Sequence, residues 1–286
     1  MNTAPTFTAA LVQMRTGCDV AGNIAEASRL VSEAAARGAD FVMTPEMTSL
    51  LETKSERLFA NTSEEKDDPT LAALCALSAA KKICLLKGSL PVKISPQKLA
   101  NRSFLIAPDG GIAARYDKIH MFDVDLEGGE SYRESKNFEP GRAAVIAELP
   151  WGRLGMTVCY DLRFPQLYRA LAQAGADFLT VPAAFTRQTG EAHWHTLLKA
   201  RAVETGCYVL APAQGGKHEC GRETFGHSLV VAPWGEIVAE AAHDEPCVVL
   251  AEIDTARIAQ ARTRVPSLGH DRDFTLPVVK AVRQAS

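Results

Sequence analysis

The chain has 286 residues, with 31 basic and 34 acidic side chains and a formal net charge of −3, so it carries no surplus of either sign to hold a polyanion. No basic block marks a nucleic-acid surface, no cationic and apolar leader opens residues 1–6, and apolar runs such as 178–185 are too short to cross a bilayer. Those features exclude nucleic-acid and membrane partners and point to a soluble protein long enough to bury a substantial core.

Taken in chain order, the first half predicts a strand over 8–14, then a helix over 23–37. That helix sets Ile24, Ala27, Leu30, Val31 and Ala34 on one face, and Gly38 stops it. A strand over 41–44, a helix over 69–81, a strand over 84–90 and a hairpin turning at Asp109-Gly110 follow. The joining segment 120–141 holds aromatic and acidic residues and is no flexible tether.

The second half repeats the first. A strand over 154–158 leads to a helix over 165–174 that begins at Pro165, turns Leu167, Ala170, Leu171 and Ala174 inward, and ends at Gly175. Gly38-Ala39-Asp40-Phe41-Val42-Met43-Thr44-Pro45 recurs as Gly175-Ala176-Asp177-Phe178-Leu179-Thr180-Val181-Pro182. Lys82-Ile83-Cys84-Leu85-Leu86 matches Gly206-Cys207-Tyr208-Val209-Leu210, and Ala107-Pro108-Asp109-Gly110 matches Ala232-Pro233-Trp234-Gly235, in the same order.

Strands alternating with helices imply an α/β fold. Two copies imply two sheets related by a pseudo-twofold and packed face to face with helices outside, a four-layer α-β-β-α sandwich. No Gly/Ser/Pro linker divides the halves, so residues 1–286 are expected to form one domain, with a core over about 7–254 and a carboxy-terminal extension over 255–286. The repeat also locates a site. Glu46 follows the second strand of the first half, where the other half has Ala183; Cys159 follows the first strand of the second half, opposite approximately Gln13. One cleft near the pseudo-twofold would receive both.

A free cysteine is ordinarily a core residue. Cys159 instead ends the run Leu154-Gly155-Met156-Thr157-Val158 and precedes Tyr160-Asp161-Leu162-Arg163-Phe164-Pro165, a thiol held where a strand stops and a helix begins. Its company is Glu46 in Phe41-Val42-Met43-Thr44-Pro45-Glu46-Met47 and Lys118 in Arg115-Tyr116-Asp117-Lys118-Ile119-His120. Together these segments resemble the Cys-Glu-Lys triad of the nitrilase superfamily, the carbon-nitrogen hydrolases.

The resemblance implies the same four-layer sandwich and a chemistry. Cys159 would attack an amide carbonyl and form a thioester, Glu46 would carry protons, and Lys118 with the backbone N–H of Tyr160 would hold the oxyanion. A cation beside the thiol would also favour the thiolate. Glu134, in Glu130-Ser131-Tyr132-Arg133-Glu134-Ser135, resembles the family's second glutamate, with Glu127, Glu130 and Glu139 as neighbouring competitors. Cys159-Tyr160-Asp161 looks like the amidases, and Thr189-Gly190-Glu191-Ala192-His193-Trp194 with Phe225-Gly226-His227-Ser228 resembles the branch acting on small carboxylate-bearing amides. Deaminated glutathione is the first expectation, 2-oxoglutaramate the alternative, and a non-catalytic binding protein of the same fold a distant one.

Arg163, Phe185, Thr186 and Arg187 are candidates for contacting substrate, with Lys217 a further cation for its carboxylate. His193 and His195, two apart on a helix, point away from each other and lack a recognisable third ligand, so they are read as structural or pocket-wall residues; His218 and Cys220, in the Gly-rich loop 214–226, are read with the same caution. No phosphate-binding loop is present, and the chemistry needs neither cofactor nor metal. Seven irregularly spaced cysteines argue against a disulfide framework and for the reducing cytoplasm, and the family implies a homodimer.

Overall fold

The computed structural model, which describes residues 6–278, builds the two halves from matching parts. The first half runs β1 (Thr6–Gln13), α1 (Val20–Ala36), β2 (Phe41–Met43), α2 (Ser55–Ala60), α3 (Pro69–Lys81), β3 (Cys84–Lys93), β4 (Leu99–Ile106) and β5 (Ile112–Asp117). A ribbon of β6 (Asp123–Asp125) and β7 (Ser131–Arg133) connects it to the second half. There the order is β8 (Val145–Leu149), β9 (Gly152–Met156), α4 (Pro165–Gln173), β10 (Phe178–Thr180), α5 (Arg187–Thr205) and β11 (Tyr208–Ala211). A second ribbon, β12 (Gly215–Lys217) with β13 (Glu223–Phe225), precedes β14 (Leu229–Val231), β15 (Ile237–Glu240), β16 (Cys247–Asp254) and α6 (Ala256–Arg264).

The strands form two six-stranded sheets, β16-β1-β2-β3-β4-β5 and β8-β9-β10-β11-β14-β15. In each, three central strands are parallel and the flanking strands antiparallel, so the sheets share one pairing pattern, although β16 reaches its place from the far end of the chain and β8 is the strand just before β9. The repeated Gly-Ala-Asp performs one task twice. Asp40 donates its N–H to Thr8 O (2.9 Å) while its Oδ2 accepts from Thr8 N (2.8 Å). Asp177 does the same with Arg153, at 2.8 and 3.0 Å. The glycines ahead of them, Gly38 and Gly175, have φ of +88° and +94°, the left-handed turn that releases the chain from a helix into a strand.

Strand periodicity makes the layers. Phe7, Ala9 and Leu11 of β1 point into the core shared with Leu154, Met156 and Phe178 of the opposite sheet, where Phe7 also stacks on Trp151 at 4.3 Å. Ala10 and Val12 point the other way, onto Ala27, Leu30 and Val31 of α1 and Leu71 and Leu74 of α3. Helices α4 and α5 cover the second sheet through Leu167, Leu171, Trp194 and Leu198. This is the expected α-β-β-α sandwich.

Three local expectations need correction. Helix α1 starts at Val20, because Asp19 caps it by accepting from Ala21 and Gly22 N–H, and buries Asn23 where Ile24 was expected. Asn23 is buried because its Nδ2 donates to Gly17 O (3.0 Å) and Ser49 O (2.9 Å). In α4 the buried stripe is Leu167, Tyr168, Leu171 and Ala172, with Ala170 and Ala174 outside, since the Tyr168 hydroxyl reaches Thr157 Oγ1 at 2.6 Å. The pairing of Ala9 with Phe41 and of Leu154 with Phe178 aligns Cys159 with Met14, one residue past Gln13.

The carboxy-terminal segment is tied to the second half. Ile258 and Ala261 of α6 are buried, Arg262 donates to Ala176 O (2.6 Å) and Asp177 Oδ1 (3.3 Å), and Arg169 holds Ser267 O (3.0 Å). Residues 1–5 and 279–286, which include most of the amino-terminal stretch and the end of the extension, lie outside the described residues.

Candidate active site

β9 ends in a 3-10 turn over Cys159–Arg163, and Cys159 sits at its corner with φ of +49°. A cysteine in that region stores strain of about 1–3 kcal/mol, which persists only where the surroundings over-determine it. Here they do. Cys159 N–H is bound to Pro182 O (3.0 Å), and the fully buried Asp161 carboxylate accepts from Val158 N (2.8 Å), the Tyr116 hydroxyl (2.7 Å) and His120 N (3.1 Å). The Asp161 N–H goes to Val158 O (3.1 Å), closing the turn around Cys159 and Tyr160.

Glu46 arrives from the first sheet, in the loop that follows β2. Thr44 Oγ1 accepts from Gly88 N (3.1 Å), and a Cβ on Gly88 would stand 2.0 Å from Thr44 O, so only glycine lets β3 approach this loop. Glu46 Oε1 accepts from Asn101 Nδ2 (2.9 Å) and Lys118 Nζ (3.0 Å), and Oε2 accepts from Ala184 N (2.8 Å). Lys118 Nζ also reaches Glu134 Oε2 at 2.8 Å, which accepts in turn from Phe122 N (2.7 Å). Asn101 closes the ring by donating to Glu134 Oε1 (3.1 Å).

Glu46, Lys118 and Cys159 are all buried. Burial pushes the Glu46 carboxyl up, but the Lys118 charge, a hydrogen bond with Cys159 and the Arg222 charge outweigh it and hold it below the usual range. Burial pulls Lys118 down, and the Glu134 and Glu46 carboxylates more than restore it, so it stays charged. Burial, then the Glu46 charge, drive the Cys159 thiol well above its ordinary value against the opposing Lys118. Lys118 favours the thiolate, as expected of a neighbouring cation, but burial and the Glu46 charge outweigh it. At rest the site holds a neutral thiol beside an ionised carboxylate.

These groups line a cavity of about 260 Å³ whose walls include Tyr160, Phe185, Thr186, Phe122, Tyr132 and Arg222. Phe185 and Thr186 thus lie where substrate contact was expected. Arg163 and Arg187 do not line it. Arg163 stacks beside Phe185 and Tyr160 and meets His193 Nδ1 at 3.3 Å, while Arg187 is paired with Asp244 (2.5 Å) and Glu223 (3.3 Å) in an adjoining surface groove. Lys217 is exposed on β12.

Arg222 and Asn101 join the site without standing in any of the motifs that mark Glu46, Lys118 and Cys159. Arg222 lines both the cavity and the groove, stacks on Tyr132 and donates to Ala184 O (2.5 Å). Its Nε is buried without a partner, and it enters no ion pair among the described residues. The Gly-rich loop 214–226 was the only signal for it, and glycine content does not say which side chain turns inward. His218 in that loop is occupied at both nitrogens, by Thr16 O (2.9 Å) and Thr224 Oγ1 (2.7 Å), so it ties the loop down and cannot ligate a metal as it stands.

Comparison with known proteins identifies the family. The family model described as carbon-nitrogen hydrolase matches residues 8–263. The chain is 40% identical over 268 residues to a protein named deaminated glutathione amidase from Synechocystis sp., covering 92% of this chain and 97% of that one. It is 34% identical over 260 residues to omega-amidase NIT2 of Homo sapiens, covering 91% and 93%. The crystal structure of the C. elegans NitFhit protein superposes with a TM-score of 0.87 at 33% identity, covering 95% of this chain and 66% of that one. With its two matching sheets and a family match across most of its length, the chain belongs to the carbon-nitrogen hydrolase family.

Proposed function

We propose that this protein is an amidase that hydrolyses a small carboxylate-bearing amide through a thioester on Cys159, with deaminated glutathione as substrate. The observation that carries the reading is the single network in which Glu46 is bonded to Lys118, Asn101 and the Ala184 N–H, in the same cavity wall as the buried Cys159 thiol. As Cys159 Sγ bonds to the carbonyl carbon, its proton passes to Glu46, whose ionised state at rest suits it as the base. Lys118 Nζ and the Tyr160 N–H receive the negative charge that develops on oxygen. Glu46 then returns the proton to the leaving nitrogen as the carbon-nitrogen bond breaks. It takes another from the water whose oxygen bonds to the thioester carbon, and passes it to Cys159 Sγ as the carbon-sulfur bond breaks and the acid leaves. Glu134 acts through Lys118 and Asn101, holding both.

Arg222 is the candidate for the substrate carboxylate, because it lines the cavity, enters no ion pair among the described residues and keeps a buried Nε without a partner, which a charge-assisted bond to an anion would satisfy. The names of the 40% and 34% identical relatives favour deaminated glutathione over 2-oxoglutaramate, which remains the second reading. The same proposal takes the enzyme to be a cytoplasmic homodimer without nucleic-acid or membrane partners; all seven thiols are unpaired, and no helix among the described residues is long and apolar enough to cross a membrane.

The test measures acid product from four compounds at one enzyme concentration: deaminated glutathione, 2-oxoglutaramate, a simple aliphatic amide and a nitrile. The first is expected to have the highest kcat/KM, the aliphatic amide to be poor and the nitrile inert. Preference for 2-oxoglutaramate would select the omega-amidase reading, nitrile turnover would defeat the amidase assignment, and no turnover at all would favour a non-catalytic binding protein.

A further inference from the structure

Away from the cavity, three side chains from three elements converge on one point. His195 of α5 places Nε2 2.8 Å from Glu240 Oε1 at the end of β15, and His227, in the turn between β13 and β14, places Nδ1 2.9 Å from the same oxygen. The three donor atoms lie within 4.8 Å of one another. None of the three residues lines the catalytic cavity. The partners of His195 stand 32 and 45 positions further on (227 − 195 and 240 − 195), in segments with no ligand spacing, so no local pattern marks the cluster.

The surroundings hold this geometry. His227 has φ of +54°, and its carbonyl is fixed by Trp194 Nε1 at 2.8 Å. The Phe225 ring stacks on His227 at 4.3 Å and meets His195 edge-on at 6.0 Å, orienting both imidazoles. Side-chain exposures of 35%, 25% and 23% for His195, His227 and Glu240 leave one side open to water.

We propose that His195, His227 and Glu240 bind a divalent transition metal, zinc first, as a structural clamp. Two imidazoles and a carboxylate are the ligand chemistry of zinc and its first-row neighbours. Bond lengths of about 2.0–2.2 Å in a tetrahedral site separate ligand atoms by about 3.3 Å. The present N···O contacts therefore need to open by only about half an ångström, with water as the fourth ligand. In the metal-free arrangement each imidazole donates an N–H to the Glu240 carboxylate, which can only accept. On binding, that proton moves to the other ring nitrogen, His195 to Nδ1 and His227 to Nε2, freeing the lone pair for the metal.

The clamp would tie α5 to the turn after β13 and to β15. Phe225 already packs so closely on α5 that a Cβ on Gly190 would meet it at 2.3 Å, and the start of α5 supplies Thr186 and Thr189 to the cavity wall. The metal thus braces the wall without touching the reacting atoms.

The test titrates cobalt(II), a spectroscopic stand-in for zinc, into the full chain after chelator treatment. One equivalent is expected to bind with tetrahedral nitrogen/oxygen visible bands and without a thiolate charge-transfer band, and zinc is expected to displace it. His195→Asn and Glu240→Gln should each weaken binding at least about tenfold, the loss that even an outer-shell change can cause. His227→Asn, whose side chain tolerates the left-handed backbone, provides a folded control that should do the same. Cys159→Ser should leave binding unchanged. Absence of saturable binding, equal affinity in the three site variants, or a charge-transfer band that vanishes with Cys159→Ser would each overturn the proposal.

Discussion

The backbone N–H of Ala184 donates to Glu46 Oε2 across 2.8 Å, joining positions 138 apart in the chain and in opposite halves of the repeat. With Lys118 and Asn101 on Oε1, Glu46 is held as an acceptor at both oxygens. Glu46→Gln can keep only one acceptor oxygen and cannot take a proton at neutral pH. It should fold and lose at least about 10²-fold in kcat, the usual worth of a general base. Retention of near-normal turnover under steady-state assay would remove Glu46 from proton transfer.

Lys118→Met should be more damaging than a lost oxyanion donor alone. It leaves the buried Glu46 and the partly buried Glu134 without the cation between them, and breaking a buried pair costs about 3–5 kcal/mol. Thermal unfolding should show a lowered Tm together with loss of activity. A variant as stable as the parent would mean that one of the carboxyls is already neutral.

Among seven cysteines, Cys159 should be the one whose alkylation abolishes activity, located by intact-mass and peptide analysis after limiting iodoacetamide. Because burial and Glu46 raise its thiol, the rate of inactivation should keep climbing above pH 9 in the absence of substrate. A plateau reached near neutral pH would indicate a preformed thiolate and contradict the resting state described above.

Arg222→Met should raise KM for carboxylate-bearing amides with little change for a small neutral amide. The loss of a charge-assisted bond of about 1.5–3 kcal/mol corresponds to about 10- to 150-fold in kcat/KM. Arg163→Met and Arg187→Met, which do not line the cavity, should have smaller effects. Equal losses on both kinds of amide would make Arg222 structural.

His218 supplies a pH dependence of stability. Burial lowers its pKa from 6.5 to about 4, so the unfolded chain binds this proton more readily than the folded one. Its contribution is full above about pH 6.5 and is lost as pH falls towards 4, by about 2–3 kcal/mol. Denaturant unfolding at pH 7 and pH 4.5 should show a larger loss for the parent than for His218→Gln. Equal losses would mean that carboxylates alone account for acid sensitivity.

How much of this the sequence carried depends on the range of the interaction responsible. Strand and helix order was legible because alternation and i, i+3, i+4 spacing are local. The doubling was legible because Gly38-Ala39-Asp40 and Gly175-Ala176-Asp177 make the same short-range turn in each half. The segments bearing Glu46, Lys118, Cys159 and Glu134 were legible as motifs, since each sits at a strand end that its neighbours define. Only the tertiary structure brought β16 back beside β1, oriented Arg222 rather than Arg163 or Arg187 towards the cavity, set Asn101 between two carboxylates and assembled His195 with His227 and Glu240. It also decided the charge at Cys159, where burial and Glu46 prevail over the Lys118 cation that spacing alone made conspicuous. Desolvation and side-chain direction depend on what the rest of the chain packs around a residue, and no local pattern encodes that.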